Sequence, residues 1–285
     1  MKTSPTLIPS RPLLEVACRS RQAVAALNFY NAETLLAHVN AAREIGASII
    51  LQTTEATINY LGLRLVVALA RAAAEEIGQP VALHLDHGGS YELAARCIEA
   101  GYTSVMIDGS KLPFAENCAL TRRVVELAHA HGVSVEGELG HVAHNDDAAD
   151  DSTRFYTRPA DAARFVAETD VDALAVAVGT AHGFYKGEVR LDFARLTQIR
   201  TAVGESAYLV LHGGSGVPDE LLRHAITCGI AKINFGTELK DAFTRAVKQT
   251  LCESDEIDLR KTFAPAIRAV QAVAARKIRL CGAVQ

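Results

Sequence analysis

Short apolar, β-branched runs alternate along the chain with longer stretches in which apolar residues recur every three to four positions. The short runs fall at 23–28, 48–52, 81–86, 104–107, 134–139, 173–178, 208–211 and 232–235, and their length and branching predict strands. The longer stretches, such as 33–45, 61–77, 115–130 and 218–228, are rich in Ala, Leu, Glu and Arg and predict amphipathic helices. Gly46, Gly78, Gly101, Gly132 and Gly229 follow predicted helices, where a left-handed residue ends the last turn. Strand–helix alternation implies parallel strands joined by helical crossovers. Eight such units predict a closed (β/α)8 TIM barrel, where six would have pointed to an open doubly wound sheet. No Pro/Gly/Ser-rich linker divides the chain, so a single domain is expected over 1–285, with 1–12 a short flexible N-terminal segment. The stretch 141–157, rich in Asp, Asn and Ala, carries no clear element and reads as a long loop. Beyond Thr237, helices are expected at 240–250 and 263–277, closing the bottom of the barrel or flanking it.

Composition narrows the partners. The chain has 285 residues, 22% of them charged, and a net charge of −4 without a run of like charges. That balance argues against nucleic acid or an anionic membrane as partner. Trp is absent and aromatics make up 6%, which leaves no stacking platform for single strands. The apolar stretch 60–74 is interrupted by Arg64 and Arg71 and falls short of the roughly 20 residues a membrane span needs. The N-terminus lacks the apolar segment of a secretory signal. Six cysteines are scattered without C-x-x-C spacing, as expected of reduced thiols in a cytoplasmic protein and not of a disulfide framework.

In this fold the active site forms where strands end and the following loops begin. Those positions carry Asn28, Thr53, Thr54, Asp86, His87, Asp108, Glu138, His182, His212 and Asn234, whereas the opposite strand ends carry little comparable chemistry. His87, His182 and His212 are far apart in sequence, yet strands three, six and seven can bring them together at one mouth. Three neutral imidazoles with a fourth position open form a catalytic zinc arrangement. The plainer alternative for any one of them is a hydrogen-bonded core or surface histidine. His84 shares a strand face with Asp86 and is expected to pack inside the barrel. His38, His129, His131 and His224 fall on predicted helices and are expected to be exposed, and His141 and His144 lie in the long loop. Glycine-rich turns supply a second signal: His182-Gly183 with Lys186-Gly187, His212-Gly213-Gly214-Ser215-Gly216, and Asn234-Phe235-Gly236-Thr237. Glycines let backbone N–H groups approach an anion, and a following helix N-terminus adds a favourable dipole.

These segments resemble the class II ketose-bisphosphate aldolases, including the fructose- and tagatose-bisphosphate branches. The motifs are Leu83-His84-Leu85-Asp86-His87, Ser104 to Ser110, Val135-Glu136-Gly137-Glu138-Leu139-Gly140, Gly179 to Gly183, Leu211 to Gly216 and Lys232 to Thr237. The resemblance implies Zn2+ on His87, His182 and His212, polarising the substrate ketone. It implies Asp86 as the group that takes the C4 hydroxyl proton, and Asn234 as a contact to dihydroxyacetone phosphate. Phosphate is expected on Gly183, Gly213, Gly214, Ser215, Gly236 and Thr237, with Lys186, Asn28 and Thr54 among the substrate contacts and Na+ or K+ nearby. Asp108 and Glu138 read as alternative metal contacts or as groups that orient the imidazoles. The family also implies a homodimer or homotetramer. One departure stands out: the family's mobile loop carries Gly-Gly and then Glu-Asp. Here 141–147 reads His-Val-Ala-His-Asn-Asp-Asp, with Asp146 in the place of the glutamate that moves the proton at dihydroxyacetone phosphate. An aldolase acting on another phosphorylated keto sugar, such as 2-deoxy-5-keto-gluconate 6-phosphate, and a non-catalytic barrel paralogue both remain open on sequence. A Schiff-base aldolase is disfavoured, because Lys111 and Lys186 lie beyond their strands and Lys232 opens its strand at the wrong end.

Overall fold

In the computed structural model, residues 7–140, 155–185 and 187–284 are described. The strands are β1 (Val24–Asn28), β2 (Ile49–Thr54), β3 (Val81–Gly88), β4 (Ser104–Ile107), β5 (Ser134–Leu139), β6 (Ala173–Val176), β7 (Tyr208–Leu211) and β8 (Ile230–Phe235). All pair in parallel with their sequence neighbours, and β8 returns to β1, which closes the expected (β/α)8 barrel. The helices are α1 (Ser10–Arg19), α2 (Ala32–Ile45), α3 (Glu55–Leu61), α4 (Leu63–Ile77), α5 (Tyr91–Ala100), α6 (Phe114–Ala130), α7 (Pro159–Thr169), α8 (Phe193–Val203), α9 (Asp219–Thr227), α10 (Thr237–Glu253) and α11 (Leu259–Cys281). No single helix among the described residues is long and apolar enough to cross a membrane.

Period-two alternation divides the core into two layers. Leu27, Leu51, Leu83, Val105, Val135, Leu174, Leu209 and Ile233 belong to the layer buried between sheet and helices. Each large aliphatic side chain buried there contributes on the order of 1.5–3 kcal/mol. A second cluster fills the bottom of the barrel, where Val24, Ala26, Ile50, Ala82, Ala173, Ala175 and Val210 meet Leu13, Leu14 and Ala17 of α1. Small residues at these positions leave room for the α1 leucines. The bottom is thus closed by α1, not by the C-terminal helices; α11 instead packs on α10 and α2. Residues 10–12, expected in a loose segment, form the first turn of α1, and Ser10 is buried with its hydroxyl 2.9 Å from that of Ser104.

Two further expectations change. The helix expected from residue 61 starts at Leu63 and runs to Ile77 as α4, and a separate α3 precedes it, ended by Gly62 at φ 88° and meeting α4 at 97°. His38, expected on the surface, is fully buried on α2 with Nε2 3.0 Å from the Asn28 carbonyl.

Candidate active site

Asp86 lies at the top of β3, and simple alternation would turn its neighbour His87 to the opposite face. The register between β3 and β4 shifts between Leu85 and Gly88, and His87 adopts φ 52°. A non-glycine residue in that region stores on the order of 1 kcal/mol or more of strain. Here it brings two consecutive residues to one cavity of about 1030 Å³ at the C-terminal mouth.

Asp86 is buried and tightly held. Its Oδ2 accepts from Asn28 Nδ2 at 2.8 Å and from Gln52 Nε2 at 3.4 Å, and its Oδ1 accepts from Asn234 Nδ2 at 3.1 Å. Gln52 Nε2 also donates to Asn28 Oδ1 at 2.8 Å, which fixes the amide that faces Asp86. Burial favours the neutral acid, but His87, His212, Lys232 and the Asn28 amide outweigh it and keep the carboxyl below its usual range. The result is an ionised, preoriented proton acceptor inside a cavity. Asn234 Oδ1 is buried without a hydrogen-bond partner among the described residues while Asn234 lines the cavity, so it offers an acceptor to a ligand hydroxyl.

Side-chain nitrogens of His87, His182 and His212 lie within 4.8 Å of one another. Each of two rings has one nitrogen committed to a carboxylate: His87 Nδ1 to Asp108 Oδ2 at 2.9 Å, and His212 Nε2 to Glu136 Oε1 at 2.7 Å. Ionised carboxylates only accept, so those nitrogens carry the hydrogens. The remaining nitrogens, His87 Nε2 and His212 Nδ1, then face each other at 3.0 Å with lone pairs converging. Such a pair repels unless a proton or a cation lies between. Burial lowers the His87 pKa, but its Asp108 hydrogen bond and the nearby carboxylates of Asp86 and Glu138 outweigh it and push the value up to about 9. Burial keeps His212 below its ordinary value. Tetrahedral zinc with nitrogens at 2.0–2.1 Å spaces its ligands by roughly 3.3 Å, so the donor set fits such an ion. His87, Asp108 and Glu138 form a second, overlapping group of metal-compatible atoms. Ser110 holds Asp108 through its amide and hydroxyl at 3.0 and 2.7 Å.

Gly183, Gly213, Ser215, Gly236 and Thr237 line the same cavity beside the histidines. Tyr185 ties two of these turns together, its hydroxyl accepting from the Ala181 amide at 2.9 Å and donating to the Gly213 carbonyl at 3.0 Å. Only glycine fits at Gly213: φ is 67°, and a Cβ would stand 2.4 Å from the Ala181 carbonyl oxygen. The Ser215 hydroxyl accepts from the amides of Gly236 and Glu238 at 3.3 and 3.2 Å, joining the β7 loop to the first turn of α10. Helix N-termini and glycine turns present N–H groups to anions.

The expected residues therefore converge, with particular exceptions. Asn28, Thr54, Asp86, His87, Asp108, Glu138, His182 and Asn234 line the cavity, and His212 lies fully buried against His87. Thr53 points behind the sheet, its hydroxyl 2.6 Å from that of Tyr102. Gly214 is absent from the cavity wall; its amide donates to the Asn234 carbonyl at 3.1 Å. Asp146, Lys186, His141 and His144 lie outside the described residues. Gln52, Glu136 and Lys232 were not singled out as site residues, although each stands two positions from one that was. Lys232, assigned to the wrong end of its strand, is buried in the barrel interior against Glu136.

The model of the class II fructose-bisphosphate aldolases matches residues 9–285. Among solved structures, the YdjI aldolase from Escherichia coli K12 superposes with a TM-score of 0.87 at 34% identity, covering 98% of each chain. A candidate fructose-1,6-bisphosphate aldolase from Coccidioides immitis gives 0.88 at 29% identity over 100% of this chain and 98% of that one. Fructose-bisphosphate aldolase from Campylobacter jejuni shares the fold, with a TM-score of 0.83 at 21% identity over 98% of this chain and 97% of its own. This chain belongs to the class II fructose-bisphosphate aldolase family, carbon–carbon lyases that are generally metal-dependent and act on phosphorylated sugars.

Proposed function

We propose that the chain is a zinc-dependent aldolase that reversibly cleaves a ketose bisphosphate, such as fructose or tagatose 1,6-bisphosphate, into dihydroxyacetone phosphate and an aldehyde. The observation that carries this reading is the convergence of two imidazole lone pairs at 3.0 Å beside a buried carboxylate held by three amides. His87, His182 and His212 hold the metal, which supplies electrophilic stabilisation of the negative charge that develops at the ketone oxygen. Asp86 takes the C4 hydroxyl proton as the carbon–carbon bond breaks and returns it to the aldehyde oxygen in condensation. Asn28 and Gln52 keep the accepting oxygen of Asp86 oriented, and Asn234 receives a hydroxyl of the dihydroxyacetone portion. Gly183, Gly213, Ser215, Gly236 and Thr237 cradle the phosphate, which binding energy spends on orientation at the reacting carbons. Asp146 stands for the loop acid that moves the proton at dihydroxyacetone phosphate, with Lys186 near the phosphate.

The shorter acid at Asp146 and the missing loop glycines favour a second substrate reading, a different phosphorylated keto sugar such as 2-deoxy-5-keto-gluconate 6-phosphate. Purified enzyme assayed against fructose 1,6-bisphosphate, tagatose 1,6-bisphosphate and this third compound, with triose phosphate release as the readout, separates the two. Cleavage of a bisphosphate supports the first reading, and cleavage of the third compound alone supports the second. Release from none of the three contradicts both assignments.

A further inference from the structure

Beneath the histidines, the barrel interior holds charged groups that the proposed reaction does not use. Lys232 and Glu136 are 1% and 2% exposed and form an ion pair, Nζ to Oε2, at 2.8 Å. The pair extends in both directions. Glu136 Oε1 lies 2.7 Å from His212 Nε2, while Lys232 Nζ makes a longer contact of 3.5 Å with His84 Nε2. His84 Nδ1 continues to the Ser104 hydroxyl at 2.7 Å, and Ser104 to Ser10 of α1 at 2.9 Å. A hydrogen-bonded array thus runs from the helix at the barrel bottom to the imidazole at its mouth.

Donor chemistry sets the direction of its bonds. An ammonium only donates, so His84 Nε2 accepts and the His84 hydrogen sits on Nδ1, pointing to Ser104. A carboxylate only accepts, so His212 gives its Nε2–H to Glu136 and keeps the Nδ1 lone pair toward His87. Glu138 Oε2 stands farther off, 3.8 Å from both His87 Nδ1 and His212 Nδ1. Stability alone does not account for the ion pair, because apolar replacements of buried pairs are often neutral or stabilising.

We propose that Glu136, held in place by its 2.8 Å ion pair with Lys232, is the positioning residue that fixes His212 as the Nε2–H tautomer and so turns its Nδ1 to the metal. This inference rests on the reading of the three histidines as a metal centre. In E136Q the Lys232 ammonium claims the amide oxygen, the amide NH2 turns to His212, and the ring must carry its hydrogen on Nδ1, where it blocks the metal. The double variant E136L/K232M removes both charges without stranding either.

The test uses the full chain stripped of metal, titrated with Zn2+ alone against a competing chelator, with 15N NMR of the histidine rings and the Co2+ absorption spectrum as second readouts. Wild type binds Zn2+ and shows His212 as the Nε2–H tautomer. E136Q and E136L/K232M bind Zn2+ roughly 10–100-fold more weakly, with a shifted Co2+ spectrum and His212 no longer held in one tautomer. A folded variant with wild-type zinc affinity and an unchanged Co2+ spectrum overturns the inference alone. Wild-type His212 found as the Nδ1–H tautomer does the same, whether or not the variants fold. A wild type that binds no divalent metal overturns both this inference and the proposed function.

Discussion

At the scale of single residues, the site depends on which protons are present. Asp86 accepts from Asn28, Gln52 and Asn234, which suits the proton-accepting role proposed for it. Asp86→Asn keeps the shape but cannot take that proton, and kcat for cleavage is expected to fall by roughly 10²–10⁴, with zinc content unchanged by elemental analysis. Retention of full activity in this variant would remove Asp86 from the mechanism. Two histidines outside the proposed metal site carry the acid response. Burial lowers His38 to about 4, and burial together with Lys232 lowers His84 to about 3, both from an ordinary 6.5. Below pH 6.5 the unfolded chain therefore binds protons that the folded chain refuses, and stability falls as pH drops toward 4. Each imidazole withdraws on the order of 3 kcal/mol by the lower limit. The carboxylates held below their usual range lose their contribution only in more acidic solution. Urea midpoints of the metal-free protein should decline between pH 6.5 and 4, and a flat profile would contradict this account. Sequence shows part of this level. Asp86, His87, His182 and His212 are legible because they stand where strands end. Glu136 and Lys232 are harder to read, because parallel barrel strands are expected to be apolar throughout; only their spacing of two from Glu138 and Asn234 marks the shared inward face. His38 could have been recognised, since Leu35, His38 and Ala42 lie on one helical stripe.

At the scale of elements, the mouth is assembled by turns rather than by strands alone. Ser215 receives the amides of Gly236 and Glu238 and so docks the β7 loop on the start of α10. Removing its hydroxyl in Ser215→Ala costs about 0.5–1.5 kcal/mol per lost bond. The expected outcome is an approximately tenfold rise in KM for the phosphorylated substrate with kcat and zinc content little changed. A loss confined to kcat would place Ser215 outside the phosphate cradle. The elements that sequence obscured have identifiable causes. Pro12 lies in the first turn of α1, where an amide has no intrahelical partner to lose, so a helix can start at Ser10 despite it. Helix α3 and its break from α4 were not legible, because the positive φ of Gly62 shows only in the backbone. The kink that presents His87 beside Asp86 is a register shift between strands, a property of pairing that no single segment carries.

At the scale of the whole molecule, eight strand–helix units close a barrel whose mouth gathers a carboxylate acceptor, three imidazoles and a glycine-lined cradle. That sorting by strand polarity was legible, because the fold places function at the carboxyl ends of its strands. The buried array from Ser10 to His212 was not, because it needs the register of β3, β4, β5, β7 and β8 at once. In the proposed function this mouth carries out metal-dependent proton transfer on dihydroxyacetone phosphate, whatever aldehyde the full reaction uses. It is tested most directly by following solvent deuterium into dihydroxyacetone phosphate by proton NMR, with the enzyme alone, after EDTA, and after zinc is restored. Stereospecific exchange of one hydrogen at the hydroxymethyl carbon is expected, abolished by EDTA and recovered with zinc. Exchange that persists in EDTA, or none at all in zinc-loaded enzyme, would contradict it.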